Sequence, residues 1–116
     1  MPRNMSFAMT TPQFRARTKT VTRRLGWRFL KAGDHVMVVE KGQGLKKGEK
    51  VKRLGPVRIV SVRREPLGFI GKEGRAGREK EGFPGMTPAD FIEMFCDHNG
   101  GDGAQTVTRI EFEYLD

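Results

Sequence analysis

The chain is poor in several residue types that carry specialised chemistry. Among 116 residues there is one cysteine, one tryptophan, one tyrosine and two histidines. A lone cysteine, Cys96, rules out an internal disulfide and any metal site built from cysteines alone, and it suits a reducing cytoplasm. No stretch approaches the ~18 consecutive apolar residues of a membrane span. The opening Met1-Pro2-Arg3-Asn4-Met5 also lacks the apolar core of a secretory signal. A cytoplasmic protein with no membrane partner is therefore expected. At this length, with 36% hydrophobic and 31% charged residues, residues 1–116 suit a single domain with a modest core.

Acidic residues are scarce in one half only. Residues 1–64 contain 17 Lys/Arg and three acids, Asp34, Glu40 and Glu49, whereas residues 65–116 contain 5 Lys/Arg and 11 Asp/Glu. The net charge of +8 therefore hides a strongly basic first half. Such polarity creates a positive field that raises encounter rates with polyanions, and it points to RNA or a nucleotide as partner.

Within that half, Lys19-Thr20-Val21-Thr22-Arg23-Arg24 places three cations and two hydroxyls in six residues. An unpaired buried cation is costly, so the cluster is expected at a surface, where arginine grips phosphate bidentately and lysine acts as a point charge. Lys19, Arg23, Arg24 and Arg64 are candidate phosphate contacts. Trp27, three residues beyond the arginine pair, is a candidate stacking surface for a base.

The remaining pattern predicts a small α+β fold. Met5, Phe7 and Met9 alternate with polar or small residues as in a half-buried strand. Thr11-Pro12 opens a short helix to about Ala16, and the basic cluster leaves that helix as a turn or strand. Gly33-Asp34 marks a turn before a strand at His35–Glu40, and Val57–Arg64 forms another. Gly42–Arg53 is expected to be a polar loop or hairpin tip. Pro66–Gly85, with six glycines and two prolines, is expected to be a long, partly mobile connection. Thr87-Pro88-Ala89-Asp90 starts a helix, with Met86 and Phe91 spaced as a hydrophobic staple and Asn99-Gly100-Gly101 at its end. A last strand at Thr106–Leu115 turns Thr108, Ile110, Phe112 and Tyr114 to one face and Arg109, Glu111 and Glu113 to the other. At least four strands with two short helices suggest a mostly antiparallel β-barrel or curled sheet with helices at its ends.

Other motifs are weak. Gly42-Gln43-Gly44 before Lys46-Lys47 lacks the ending of a phosphate loop. Cys96, Asp97, His98 and Asp102 lack the paired spacing of a metal site, and His35 has no evident triad partner. No metal or cofactor is expected.

Taken together, Ser6-Phe7, the short helix, the Lys19–Arg24 cluster, Gly33-Asp34 before a valine-rich strand, Glu81-Gly82-Phe83, the helix with Phe91 and the closing Arg109-Ile110-Glu111-Phe112 resemble the ASCH domain. That family is related to the RNA-binding PUA domains, and the details resemble its short phage and prophage members. The resemblance covers most of the chain and implies a β-barrel flanked by short helices with a cleft for RNA, a nucleoside or a nucleotide. One bacterial branch, resembled more distantly, removes the acetyl group from N(4)-acetylcytidine with a lysine, a threonine three residues later and a downstream glutamate. Lys19 and Thr22 match the first two, Arg24 matches an arginine just beyond them, and Glu81 or Glu79 matches the acid. Arg23 replaces an apolar residue of that branch, and Gly42–Arg53 is inserted.

The chemistry that this match implies has its own conditions. A threonine hydroxyl attacks only when a base removes its proton, and a lysine serves if burial or neighbouring cations lower its pKa. Lys19 and Thr22 share a site only if the chain turns, because strand residues three apart face opposite sides. A ribonuclease and a purely structural interaction module are the remaining alternatives, since one fold hosts many functions.

Overall fold

The computed structural model describes residues 3–7, 9–40 and 52–115. Among them are five strands: β1 (Arg3–Ser6), β2 (Val21–Arg24), β3 (His35–Val39), β4 (Arg53–Pro66) and β5 (Thr106–Tyr114). Three α-helices accompany them, α1 (Thr11–Arg15), α2 (Gly74–Glu81) and α3 (Pro88–Asn99), with a 3₁₀ turn at Leu67–Gly71. The strands form one curled sheet in the order β1-β3-β4-β5-β2, a half-barrel with few short helices. Only β1 and β3 run parallel; the other pairs are antiparallel.

The curl has local causes. The register of β4 shifts against β5 between Ile59 and Ser61, and that of β3 shifts against β4 between Val38 and Val39. Bulges of this kind bend a strand and sharpen its twist. They let the 14-residue β4 pair with β3 at one end and with β5 along most of its length. Inside the curl, Met5, Phe7, Phe14, Val36, Val38, Val57, Ile59, Ile110 and Phe112 form the main core. Burial of each large apolar side chain contributes roughly 1.5–3 kcal/mol. A second cluster joins Leu67, Ile70, Phe91, Phe95 and Val107 beneath α3.

Several expectations hold and several need correcting. Thr87 caps α3, its hydroxyl accepting the Asp90 N–H at 3.1 Å, and Met86 packs in the cluster that contains Phe91. The first strand ends at Ser6, and Met9, expected on its buried face, is 44% exposed. The stretch Pro66–Gly85 is not an irregular connection: it holds the 3₁₀ turn and α2. Leu67 and Ile70 anchor the turn by complete burial. Helix α2, Gly-Arg-Ala-Gly-Arg-Glu-Lys-Glu, has no apolar stripe, so periodicity could not reveal it. On β5, Arg109 is buried. The insert Gly42–Arg53 lies outside the described residues apart from Lys52 and Arg53.

Candidate functional site

The half-barrel leaves a gap between its two edge strands, β1 and β2. A cavity of about 670 Å³ occupies it, lined by Asn4 and Ser6 of β1, by Thr22 and Arg24 of β2, and by Phe91 and Phe95 of α3. Lys19, Trp27, Glu81 and Phe83 also face it. The Arg24 guanidinium donates a hydrogen bond to the Ser6 carbonyl, so a side chain bridges the edges where no ladder joins them.

Register decides which cluster residues face inward. Thr22 is paired with Ile110 and Arg24 with Thr108. Side chains of paired residues share a face, so Thr22 and Arg24 lie on the Ile110–Phe112 side. Arg23 is paired with Arg109 and directs its guanidinium to the opposite side of the strand, although the residue still contributes to the cavity lining. Lys19 precedes β2, so strand alternation does not bind it. After α1 the chain turns through Arg17 in left-handed backbone, φ 61°. The Thr20 N–H donates to Lys80 O at 2.8 Å, and Thr20 O accepts the Phe112 N–H at 2.9 Å. The Tyr114 hydroxyl donates to the Lys19 carbonyl. Lys19 and Thr22 thereby line the same cavity.

Glu81 is brought to them from the end of α2. Its neighbour Gly82 ends that helix with φ 96°, and a Cβ there would stand 3.0 Å from the Gln13 side chain. Only glycine combines that backbone with such close packing. The Lys19 ammonium donates to the Glu81 carbonyl at 2.7 Å and to its carboxylate at 3.1 Å. Arg23 donates to the other oxygen of the same carboxylate at 2.9 Å.

The expected solvent exposure of the cluster is therefore corrected: Lys19 and Arg23 are only 3% and 4% exposed. The physical reason is pairing by acids distant in sequence. Arg23 donates to Glu73 and lies 3.5 Å from Glu65. Arg109 pairs with Glu73 at 2.8 Å, and Arg63 bridges Glu65 and Glu73. Paired in this way, buried cations avoid most of the cost that an isolated one would carry. Glu65, Glu73 and Arg109 were not legible as site residues. The available signal was weak, a glutamate interrupting the basic end of β4 and an arginine on the inner strand β5.

The environment sets the protonation states. Burial pushes the Lys19 ammonium below its ordinary value; Glu81 opposes this, while Arg24 and Arg23 add to it. For Arg23 burial acts downward too, but Glu81 and Glu73 outweigh it and the net shift is upward. Burial lowers the Arg24 guanidinium to about 10, against opposition from Glu81, so it remains a cation at neutral pH. Thr22 is 4% exposed as a residue, and its hydroxyl makes no hydrogen bond among the described residues.

The other candidates are dispersed. Arg64 is exposed and donates to the Thr108 hydroxyl at 2.7 Å, away from the cavity lining. Glu79 is half exposed and pairs with Arg75 at 3.0 Å, so of the two possible acids Glu81 is the one in the cavity. Trp27 lines the cavity and packs at a tilt against Phe29. Residues that sequence reasoning missed here are Asn4, Phe95, His98 and Asn99. They come from elements whose apposition only the tertiary fold creates.

No protein-family model and no curated protein matches the chain. Solved structures share its fold. The hypothetical protein PH0355 aligns with a TM-score of 0.67 at 20% identity, covering 99% of this chain and 100% of its own. EF3133 from Enterococcus faecalis V583, of the family DUF984, aligns with a TM-score of 0.70 at 14% identity, covering 100% of this chain and 81% of its own. Identities this low establish likeness of fold and carry no residue roles. Among the described residues no helix is long and apolar enough to cross a membrane.

Proposed function

We propose that this protein is an ASCH/PUA-like domain that seats a nucleoside or nucleotide, free or within RNA, in the cavity between β1 and β2. The observation that carries this reading is convergence: Lys19, Thr22, Arg24, Trp27 and Glu81 line one cavity of about 670 Å³. That volume falls inside the ~300–1,000 Å³ range of small-molecule sites. Its composition is also apt. Apolar walls from Phe91, Phe95 and Phe83 can hold a base, and a few polar groups can fix its orientation. Within the cavity Arg24, which no carboxylate pairs among the described residues, is the cation placed for phosphate contact, with Lys19 beside it; the Arg23 side chain is wholly buried against three carboxylates.

A second reading, hydrolysis of an N(4)-acylated cytidine, is favoured by a specific observation. The Thr22 hydroxyl is free of hydrogen bonds among the described residues and shares the cavity with a lysine whose pKa burial lowers. In that reaction the neutral Lys19 amine takes the Thr22 proton as the Thr22 oxygen bonds to the acyl carbon. The proton then passes through Glu81, 3.1 Å from Lys19, to the departing cytidine nitrogen as the C–N bond breaks. Water next cleaves the Thr22 ester, releasing the acid and restoring the hydroxyl.

The test is incubation with N(4)-acetylcytidine while free cytidine is followed by chromatography, with the wild type beside Thr22→Val. Turnover by the wild type and its loss in Thr22→Val is the expected result. Binding without turnover would retain the first reading and remove the second.

A further inference from the structure

The loop joining β2 to β3 carries an aromatic surface that the cavity does not use. Leu25 and Trp27 face the cavity, but Phe29 stands outside it and is 49% exposed. The rings of Trp27 and Phe29 pack against each other in a tilted arrangement, with centroids 5.4 Å apart and planes inclined by 35°. Trp27 is held in left-handed backbone, φ 55°, directly after Gly26 at φ 77°. A side chain other than glycine there costs about 1–2 kcal/mol, so the turn fixes a ring at that point against local preference.

The loop is also tied down and surrounded by positive charge. The Thr108 hydroxyl donates to the Gly26 carbonyl, and Arg64 donates to that hydroxyl from the neighbouring strand. The Arg3 guanidinium lies over the Phe29 ring, 4.3 Å from its centroid. Arg28, between the two aromatics, is exposed and pairs with no described carboxylate. Arg3 and Arg64 are exposed as well. A pair of adjoining aromatic rings among exposed guanidinium groups has the composition of a site for single-stranded nucleic acid, in which bases stack and cations track the phosphates.

We propose that Trp27 and Phe29 with Arg3, Arg28 and Arg64 form a second nucleotide subsite. One nucleotide of a single strand enters the cavity, and the adjoining base packs against the exposed part of Phe29, displacing or joining the Arg3 guanidinium, while Arg28 and Arg64 meet the phosphates. This rests on the reading of the cavity as a nucleoside site. It extends that reading by making the ligand a strand rather than a free nucleoside. Stacking tolerates any base because each has a π-face, so the cavity alone selects the nucleotide.

Calorimetric titration of the full chain with cytidine and with a short single-stranded oligocytidylate, as RNA and as DNA, tests it. The oligomer is expected to bind at least about tenfold more tightly than cytidine. Phe29→Ala should remove about that factor while leaving cytidine affinity unchanged, and Phe29→Tyr should retain it. Arg28→Gln should flatten the slope of log affinity against log salt by about 0.7. If cytidine binds but lengthening adds nothing, or if the gain ignores Phe29→Ala, the subsite is overturned and the cavity reading stands. If neither probe binds, both are overturned.

Discussion

At the scale of single residues, Glu81 is the hinge of the site. Its carboxylate holds Lys19 and Arg23, both buried, from one chain position. Replacing Glu81 by Gln leaves two desolvated cations short of a counter-charge, a change that typically costs about 3–5 kcal/mol. Urea unfolding at neutral pH should show a loss of that size. Thr22→Val should behave in the opposite way. It removes a hydroxyl that makes no hydrogen bond among the described residues and keeps the shape, so stability should change by less than about 1 kcal/mol. Turnover, if Thr22 is the nucleophile, should vanish.

Tyr114, whose hydroxyl donates to the Lys19 carbonyl, offers an independent check on the packing behind the site. Burial pushes its phenol up to about 12, although Arg17 pulls the other way. The neutral phenol is thus favoured by folding, and this contribution is present below pH 10 and lost as pH rises from 10 toward 12. Because the chain has one tyrosine, phenolate absorbance reports it alone. A titration midpoint near 12 is expected, and one near the ordinary value of 10.0 would show that the ring is not packed as described.

At the scale of elements, α2 is fastened to the sheet mainly by charge. Glu73, just before the helix, pairs with Arg23 of β2, Arg63 of β4 and Arg109 of β5. Burial alone would raise its carboxyl, but Arg23 and Arg109 outweigh this and hold it below the usual 4.5. A lowered carboxyl stabilises the fold above its unfolded pKa and loses that contribution as pH falls through its folded value. Wild type should therefore exceed Glu73→Gln in stability at pH 7, with the gap closing progressively below about pH 4.5. Gly77 tests the same fastening from inside the helix. Alanine gains about 1 kcal/mol in intrinsic helix preference, yet its Cβ would lie 2.5 Å from the Glu73 Cβ. Gly77→Ala should lower the melting temperature despite the better helix former, because Glu73 must leave its partners.

These elements also show why legibility was uneven. Helix α3 was readable because its cap, its Pro88 and its apolar stripe are all local signals. Helix α2 was hidden because its reasons for forming lie on other strands: Arg23, Arg63 and Arg109 are between 10 and 50 residues from Glu73 in sequence. The site divided the same way. The Lys19–Thr22 spacing and a downstream acid could be read along the chain. That the cations would be buried could not, since burial depends on which carboxylates the sheet delivers.

At the scale of the whole molecule, the basic first half and the acidic second half do not simply form two surfaces. Part of the charge is turned inward, where Glu65, Glu73 and Glu81 from the second half meet Lys19 and Arg23 from the first. The half-barrel uses that contact to set one side of its gap, and Arg24 reaching Ser6 closes the other. The cavity is the consequence, and the functional reading depends on its being occupied by a ligand. The most direct measurement is amide chemical-shift mapping of isotopically labelled Thr22→Val protein titrated with N(4)-acetylcytidine. Seating of the nucleoside in this cavity predicts saturable shifts confined to residues 4–7, 19–27, 81–83 and 91–99. Absence of shifts, or shifts centred instead on the exposed face of β4 around Arg58 and Val60, would contradict it.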